Sequence, residues 1–226
     1  APEVKKAMIV WLGPVIFEAY ASSETGYITV MSPHDATRKT GSAGKALGSA
    51  AIRILDDAGR DLPAGEIGTI YAHQPAYSDF TYHGNDAARH AVERDGLVSV
   101  GDMGYLDEEG FLFVCDRASD MVISGGVNIY PAEIEHVLIT LPGVADCAVV
   151  GIPDDEYGEA LAAQVVAEAG ATLDAEAMRQ TLTERIAGYK VPRRIDIVDV
   201  LPRDDNGKVM KRRIRDAYWS GRSRKI

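Results

Sequence analysis

The clearest periodic pattern of the sequence lies in its C-terminal half. Apolar residues recur there at the spacing of one helical face, and these are Ile134, Val137, Leu138 and Leu141. Pro131 suits the first turn of such a helix, and Pro142-Gly143 suits its end. Two apolar runs follow, at 145–152 and 160–167, and predict buried strands. The pattern therefore predicts a helix followed by two buried strands.

The same half continues with a second helix and a further strand. Asp174 can cap a helix that ends at Gly188, and alternation over 195–201 predicts a final strand. The pair Asn206-Gly207 then predicts a type I′ hairpin turn followed by Lys208. Interpreted from the residues alone, Lys208 is a solvated surface lysine.

The N-terminal half has shorter strands that are punctuated by glycine. Strands are predicted at 51–55 and 66–73, and 80–94 is typical of a surface loop with a helix. Repeated short strands of this kind favour a small β-barrel or an antiparallel sheet. The run 15–19 predicts a strand that delivers Tyr20 and a hydroxyl-rich turn to the carboxyl edge of a sheet. Taken alone, Ser22-Ser23-Glu24 is also a common helix-capping string.

A stretch near the middle of the chain connects the two halves. Alternation over 111–115 predicts a strand buried on both faces or nearly so, and 116–120 is a charged joint. Residues 121–130 predict a hairpin, because Gly125-Gly126 can supply the positive φ angles of its tip.

Composition restricts the class of protein. The chain has 226 residues, 46% hydrophobic and 26% charged, which suits a globular protein of one large or two modest domains. No apolar run approaches the roughly 20 residues of a membrane span, and no secretory signal is evident.

Cys115 and Cys147 lack metal or disulfide spacing, suit a reducing cytosol and are interpreted as buried apolar residues. The histidines also lack metal spacing and are interpreted as structural or surface residues: His34, His73, His83, His90 and His136.

The charge is distributed unevenly. A net charge of −10 argues against bulk attraction to nucleic acid. From Lys208 onward, however, eight basic residues face one acid, so the end of the chain is basic. This segment could steer polyphosphates such as ATP or CoA, although a solvated, frayed end explains 222–225 equally well.

Several short motifs occur in a fixed order. Along the chain these are Gly101-Asp102, Asp116-Arg117-x-x-Asp120, Ser124-Gly125-Gly126-x-Asn128-Ile129 and Pro131-x-Glu133-Ile134-Glu135. Together they resemble the core of the adenylate-forming enzymes, which include acyl-CoA synthetases, luciferases and peptide-synthetase adenylation domains. Tyr20 to Gly26 is similar to the family's Tyr-Gly-x-Thr-Glu motif, with Ala21 in place of the glycine. Pro202 to Val209 resembles its Pro-Arg-x-x-x-Gly-Lys-Val motif.

The resemblance implies a nucleotide site in the first half of the chain. The Tyr20 ring would stack on adenine, the Ser23 hydroxyl would contact the α-phosphate, and Glu24 would hold Mg²⁺. Asp102 would accept hydrogen bonds from both ribose hydroxyls, a task for an acceptor-only group with two oxygens. Arg117 would contact the ribose or the phosphates.

The resemblance also implies a mobile lid in the second half. The fold class that the resemblance implies is α/β. Residues 1–117 would be the end of the large AMP-binding domain, with its sheet edge and β-barrel-like subdomain, and 118–226 would be the compact α+β lid. The pivot would be Ser119 or Asp120. Lys208 would bridge the substrate carboxylate and the α-phosphate, and the Gly125-Gly126 turn would line the CoA channel.

The function implied is that of an AMP-forming acyl-CoA synthetase, which uses ATP, Mg²⁺, CoA and a small carboxylic acid. A role in fatty acid metabolism is expected, because the tail Asp216 to Arg222 resembles that of fatty or steroid-type acid ligases. A cytoplasmic location is expected from the absence of a secretory signal and from the two cysteines. The phosphate loop and most of the acyl pocket are not in this sequence, so we expect a fragment that forms no acyl-adenylate alone. A peptide-synthetase or luciferase-like enzyme and a non-catalytic binding module are the alternatives. The oligomeric state is not indicated.

Overall fold

The computed structural model of the chain describes residues 2–221, except for the side chains of residues 2 and 3. It divides into two compact units, the first ending at Ala118 and the second beginning at Ser119. Both units combine helices with sheets, so the mixed α/β class predicted from the sequence is confirmed. The basic residues 222–225 lie outside the described part of the chain.

The first unit opens with a helix and a small antiparallel sheet. Three strands pair in the order β1-β2-β3. The elements are α1 (Pro2–Leu12), β1 (Glu18–Ser22), β2 (Gly26–Met31), α2 (Pro33–Arg38) and β3 (Lys45–Ala46). Ser32 caps α2 by accepting a hydrogen bond from the backbone N–H of Asp35.

A six-stranded antiparallel sheet completes the first unit. Its strands run in the order β6-β7-β5-β8-β9, with β4 beside β5. The elements are β4 (Ala51–Leu55), β5 (Gly68–His73), α3 (Asp86–Ala91), β6 (Glu93–Arg94), β7 (Leu97–Val98), β8 (Asp102–Leu106) and β9 (Leu112–Arg117). Of the two arrangements that the short strands favoured, the structure has the antiparallel sheet.

Three predictions of strand position and burial are wrong in detail. The strand predicted at 15–19 lies at Glu18–Ser22, and the turn after it joins two antiparallel strands. Ser23-Glu24 is therefore neither a helix cap nor the end of a strand that leads into a helix. Strand β9 is not buried on both faces, because Val114 is 37% exposed. Cys115 and Cys147 are half-buried rather than buried.

The second unit is built on a five-stranded sheet. The strands run β11-β10-β13-β12, and β14 pairs in parallel with β13. The elements are β10 (Val122–Ser124), β11 (Val127–Ile129), α4 (Pro131–Leu138), β12 (Val144–Asp154), β13 (Gly158–Ala167), α5 (Ala175–Arg185), a 3₁₀ helix (Gly188–Lys190), β14 (Arg194–Ile197) and α6 (Lys211–Tyr218).

Both faces of strand β12, which pairs with the central strand β13, are buried, and this explains its continuous apolar run. Val149 belongs to the cluster that α4 and α5 cover, with Ile134, Leu138 and Leu182. The adjacent residues Ala148 and Val150 face the opposite cluster, where Ile214 of α6 packs. Successive residues of a strand point to opposite faces, so this strand fills two cores.

The two buried strands of this unit are confirmed, but other boundaries differ from the prediction. Helix α4 ends at Leu138, and Leu141 is buried in the turn that follows. Helix α5 ends at Arg185, because Ile186 takes an extended conformation and packs on the core. The final strand covers only Arg194–Ile197.

No helix within residues 2–221 has the length and apolar character that a membrane crossing requires.

Gly44 marks a close approach of three chain segments in the first unit. Its φ is +100°, and a Cβ built there would lie 2.2 Å from the backbone carbonyl of Val30. Its carbonyl oxygen accepts a hydrogen bond of 2.8 Å from the Leu112 amide. Gly41 has a similar φ of +88°, but the space beside it is open. Gly44 therefore shapes a packed junction of the first unit.

The paired variants Gly44→Ala and Gly41→Ala should separate backbone strain from steric overlap. Both place alanine at positive φ, but only Gly44→Ala forces backbone atoms apart. We expect Gly44→Ala to lower the free energy of unfolding by on the order of 1–3 kcal/mol more than Gly41→Ala. Urea unfolding of the two variants measures the difference, and equal losses would contradict the proposed overlap.

Candidate active site

The first unit brings three of the predicted nucleotide residues together around one carboxylate. The Tyr20 hydroxyl donates a hydrogen bond of 2.6 Å to Oδ2 of Asp102. Nε of Arg117 lies 3.5 Å from Oδ1 of the same group. Asp102 is buried, whereas the side chain of Arg117 is 62% exposed. One carboxylate is thus held on both oxygens, with a guanidinium directed to solvent beside it.

Strand register explains this arrangement. Asp102 and Arg117 are directly paired across the antiparallel ladder of β8 and β9. Gly101, with φ +84°, directs the chain into β8 at that point. Tyr20 lies in β1 and packs against the apolar cluster that contains Ile54 and Leu112. The ring is therefore fixed by apolar packing and its hydroxyl by Asp102.

The environment of Tyr20 keeps its hydroxyl protonated. Burial of the ring raises the pKa of Tyr20 far above its ordinary value of 10.0, and the hydrogen bond to Asp102 raises the pKa further. A neutral hydroxyl can donate to a carboxylate, whereas a phenolate cannot. Tyr20 therefore acts as a donor over the whole neutral pH range.

Ser23 and Glu24 lie in the hairpin turn between β1 and β2, and only Glu24 has a long-range partner. Ser23 is exposed. The Tyr82 hydroxyl donates a hydrogen bond of 3.1 Å to Oε1 of Glu24, and burial raises the pKa of Tyr82. Sequence reasoning missed Tyr82, because a lone tyrosine in a surface loop carries no motif signal.

The chemistry of Glu24 fits a magnesium ion that other ligands share. Among the described residues, no group of three or more His, Cys, Asp or Glu side chains could hold a metal ion. A half-buried single carboxylate is instead the type of ligand that Mg²⁺ uses together with water and phosphate oxygens. Glu24 also borders a cavity of about 250 Å³ within the first unit, beside Gln74 and Tyr77.

In the second unit, Lys208 is carried by a tight loop with an exposed ammonium group. The Gly207 amide donates 2.9 Å to the Asp204 carbonyl, and the Lys208 amide donates 2.9 Å to Oδ1 of Asp204. Within residues 2–221 the Lys208 ammonium has no hydrogen-bond or ion-pair partner. The ammonium is therefore available to a ligand.

The predicted type I′ turn at Asn206-Gly207 is wrong. That turn needs positive φ at both central residues, but among the described non-glycine residues only Asp95 has positive φ. The turn runs from Asp204 to Gly207 instead, and Gly207 leaves it with φ +80°. Asp204 makes the difference, because its carboxylate caps the amides of Asn206 and Lys208.

The predicted CoA-channel glycines form the tip of the β10–β11 hairpin. Gly125 has φ +56° and Gly126 has φ +82°. The Gly125 amide donates 2.9 Å to the carbonyl of Tyr157. A cleft of about 380 Å³ within the second unit adjoins this tip, with Tyr157, Tyr189 and Arg193 in its wall. The hairpin therefore borders a partly aromatic cleft.

The predicted pivot lies where the two units meet in sequence. The Ala118 amide donates 2.8 Å to the carbonyl of Gly101, inside the first unit. The Ser119 carbonyl accepts 2.8 Å from Nη1 of Arg215, and Asp120 lies 3.7 Å from the same guanidinium, inside the second unit. Ala118 and Ser119 are thus anchored to different units.

Comparison with known families gives two matches along the chain. The sequence model described as AMP-binding enzyme matches residues 1–79. The model described as AMP-binding enzyme C-terminal domain matches residues 133–208. The two matches follow the order expected for adenylate-forming enzymes.

Curated relatives carry CoA-ligase names. The chain is 41% identical over 204 residues to a 2-succinylbenzoate–CoA ligase of Listeria monocytogenes serotype 4b, covering 90% of this chain and 41% of the relative. It is 44% identical over 204 residues to an indoleacetate–CoA ligase of Aromatoleum aromaticum, covering 90% and 40% respectively. The chain therefore spans about two fifths of the length of these relatives.

A solved structure has the same fold over the whole chain. The o-succinylbenzoate CoA synthetase MenE from Bacillus subtilis, in complex with its acyl-adenylate intermediate, superposes with a TM-score of 0.88 at 35% identity. The match covers 100% of this chain and 45% of that enzyme. The same enzyme in complex with ATP and a magnesium ion superposes with a TM-score of 0.80. The chain belongs to the adenylate-forming enzymes, as its motifs indicated.

Tyr20→Phe should alter the alkaline limb of the stability curve of the protein. The unfolded chain releases the Tyr20 proton near pH 10, whereas the native state retains it. The native state then binds more protons, so this contribution to stability is complete below pH 10 and falls as the pH rises. Above pH 10, we expect the free energy of unfolding of the wild type to fall more steeply with pH than that of Tyr20→Phe, by up to about 1.4 kcal/mol per pH unit. Urea unfolding from pH 8 to 11 tests this, and parallel curves would contradict it.

Proposed function

We propose that this chain supplies the ribose-binding edge and the lid of an AMP-forming acyl-CoA ligase. The overall reaction converts a carboxylic acid, ATP and CoA into acyl-CoA, AMP and diphosphate. The observation that carries the proposal is the buried Asp102 carboxylate, held by Tyr20 and Arg117 in a family of adenylate-forming enzymes. The CoA-ligase names of the relatives support the choice of CoA as acceptor.

The nucleotide would be bound through the first unit. Asp102 would accept the two ribose hydroxyls, because each carboxylate oxygen has a second lone pair beyond those directed to Tyr20 and Arg117. The Tyr20 ring would lie against adenine, and the exposed Ser23 hydroxyl would contact the α-phosphate. The solvent-directed guanidinium of Arg117 would reach the ribose or phosphates.

Glu24 would hold a magnesium ion by its carboxylate, with Tyr82 keeping that group oriented. When bound, the ion neutralises phosphate charge and favours departure of diphosphate. Because one protein carboxylate is an incomplete ligand set, the remaining ligands would be water and phosphate oxygens. Metal affinity would therefore be highest when the nucleotide is present.

Lys208 would act in the first half-reaction. A carboxylate oxygen of the acid attacks the α-phosphorus of ATP, a P–O bond forms, and the bond to diphosphate breaks. Negative charge on the α-phosphate oxygens increases during this step. An exposed ammonium without a competing anion can approach and stabilise that charge.

The Gly125-Gly126 hairpin would act in the second half-reaction. The CoA thiol loses its proton, its sulfur attacks the acyl carbonyl carbon, and AMP leaves. Glycines at the hairpin tip leave room for the narrow pantetheine arm beside the backbone. The adjoining cleft supports this role, because it offers aromatic rings and Arg193 to the rest of a thiol cofactor.

The two half-reactions would use different orientations of residues 119–226, with the pivot at Ser119 or Asp120. Ala118 is anchored to one unit and Ser119 to the other, and this supports a pivot next to the junction of these two residues. A single rotation could then exchange Lys208 for the hairpin at the bound acyl group.

The acid itself is proposed only as a class. The relatives named above act on 2-succinylbenzoate and indoleacetate, whereas the tail motif led to fatty or steroid-type acids. Both groups are small carboxylic acids with a large apolar part. Acid-dependent pyrophosphate exchange by the full-length protein, with acids of graded length and ring content, tests the proposal. Absence of exchange with every acid would refute the proposal.

We also propose a cytoplasmic location, which fits these soluble substrates.

Lys208→Ala in the full-length protein should slow adenylation by on the order of 10²–10³, the scale for losing one transition-state contact. Thioester formation from preformed acyl-adenylate should be unchanged, because Lys208 has no part in that step. Single-turnover measurements of each half-reaction distinguish the two. Equal losses in both would contradict the assignment.

Gly125→Ala should have the opposite effect. A Cβ at Gly125 would lie 3.0 Å from the Tyr157 ring, whereas one at Gly126 would meet nothing within 4 Å. We expect thioester formation to fall by on the order of tenfold, the size of a barrier increase of about 1.4 kcal/mol, with adenylation retained. Gly170→Ala is the matched control for positive-φ strain, because Gly170 lies outside the hairpin, has φ +81° and has open space where a Cβ would stand. An unaffected second half-reaction in Gly125→Ala would contradict the channel role.

A further inference from the structure

One arginine connects the loop that carries Lys208 to the sheet of the second unit. Nη1 of Arg203 donates to the carbonyl oxygen of Gly207, and Nη2 donates to the carboxylate of Asp146. Asp146 belongs to strand β12, which is buried on both faces. The guanidinium thus joins a rigid strand to the residue that immediately precedes Lys208.

This contact fixes one particular peptide group. The carbonyl of Gly207 and the amide of Lys208 are the two ends of the same planar unit. Arg203 holds the oxygen, and Oδ1 of Asp204 holds the N–H at 2.9 Å. With both edges held, the plane cannot turn freely, although Gly207 on its own permits many φ values. The orientation of this plane sets the direction in which the Lys208 side chain leaves the backbone.

The exposure of the pair argues against a mainly stabilising role. The side chains of Arg203 and Asp146 are 43% and 31% exposed. Ion pairs of that exposure contribute little to the free energy of unfolding. The contact to Gly207, by contrast, acts on a glycine next to the Lys208 ammonium, which has no partner among residues 2–221. Restricting the motion of this glycine directly affects the reach of the ammonium.

We propose that Arg203 is a positioning residue for Lys208, and that Asp146 orients Arg203. The inference rests on the proposed function, because it assigns Lys208 to the adenylation step. It adds that the Gly207–Lys208 peptide, held by Arg203 and Asp204, fixes the reach of the Lys208 ammonium before a ligand binds. Arg203 needs both nitrogens for this task, and a planar guanidinium provides them in fixed geometry.

The rival explanation is that Arg203 contacts the nucleotide itself. A direct contact would not depend on Asp146, and it would weaken ATP binding when removed. A positioning role depends on Asp146 and lowers the rate constant of adenylation with little change in the KM for ATP. The two roles therefore predict different kinetic patterns.

The kinetic experiment uses the full-length protein and measures both half-reactions. We expect Arg203→Ala to slow adenylation about tenfold, the scale for losing one charge-assisted hydrogen bond, and to leave thioester formation from acyl-adenylate unchanged. Asp146→Asn should slow adenylation less. The double variant should equal Arg203→Ala, because both changes act through the same peptide. Arg203→Lys should recover only part of the loss.

The matched control is Arg179→Ala. Arg179 is similarly exposed, at 44%, and pairs with Glu176 on α5, away from the Lys208 loop. It should leave both half-reactions unchanged. The proposal is overturned if Arg203→Ala matches this control, if the effects of Arg203→Ala and Asp146→Asn are additive, or if Arg203→Lys restores full activity. A rise in the KM for ATP without loss of rate constant would favour direct contact and also overturn it.

A second measurement does not depend on activity. Hydrogen–deuterium exchange of segment 203–210, followed by mass spectrometry, should be faster in Arg203→Ala than in the wild type or in Arg179→Ala. If the wild type activates no carboxylic acid, the proposed function fails and this measurement alone tests the contact. Unchanged exchange in Arg203→Ala overturns the positioning role whatever the activity.

Discussion

The hydrogen bond from Tyr20 to Asp102 is the interaction on which the candidate nucleotide site depends. It joins the three-stranded sheet of the first unit to the six-stranded sheet at one buried carboxylate. A buried carboxylate without hydrogen-bond partners would be costly, so the contacts from the Tyr20 hydroxyl and Arg117 are what allow Asp102 to be buried. The same two contacts orient both oxygens. The two contacts that compensate for the burial of this carboxylate therefore also orient it for a ligand.

The second unit follows a different principle, in which a candidate functional side chain is exposed and the backbone that carries it is held. Lys208 is exposed, but the peptide before it is hydrogen-bonded at both ends. A lysine side chain has many rotamers, so a fixed backbone limits the volume that the ammonium explores without restricting the chain itself. The β10–β11 hairpin is held similarly, since the Gly125 amide donates to the Tyr157 carbonyl while a Cβ at Gly126 would meet nothing within 4 Å. In both places the sheet carries the constraint.

The sequence predicted elements best where packing and periodicity agree. The long apolar runs of β12 and β13 and the capped helix after Asp174 were found because burial on two faces and a carboxylate cap leave strong local signals. The turn at Asn206-Gly207 was wrong because Asp204, two residues earlier, caps the loop amides and selects another turn. Motif order identified Asp102 and Lys208 as candidates. No local pattern could reveal that Tyr82 reaches Glu24, or that Arg203 reaches Asp146, because these contacts join residues 58 and 57 positions apart.

The anchoring of Ala118 and Ser119 limits how the two units could rearrange. One residue is tied to Gly101 and the next to Arg215, so no slack chain separates the two attachments. Neighbouring Cα atoms are only about 3.8 Å apart, and a link this short cannot let one body slide along the other. Any large displacement must come from torsion about a few backbone bonds. Such a joint would behave as a swivel rather than a tether, and it would limit the proposed lid to a restricted arc.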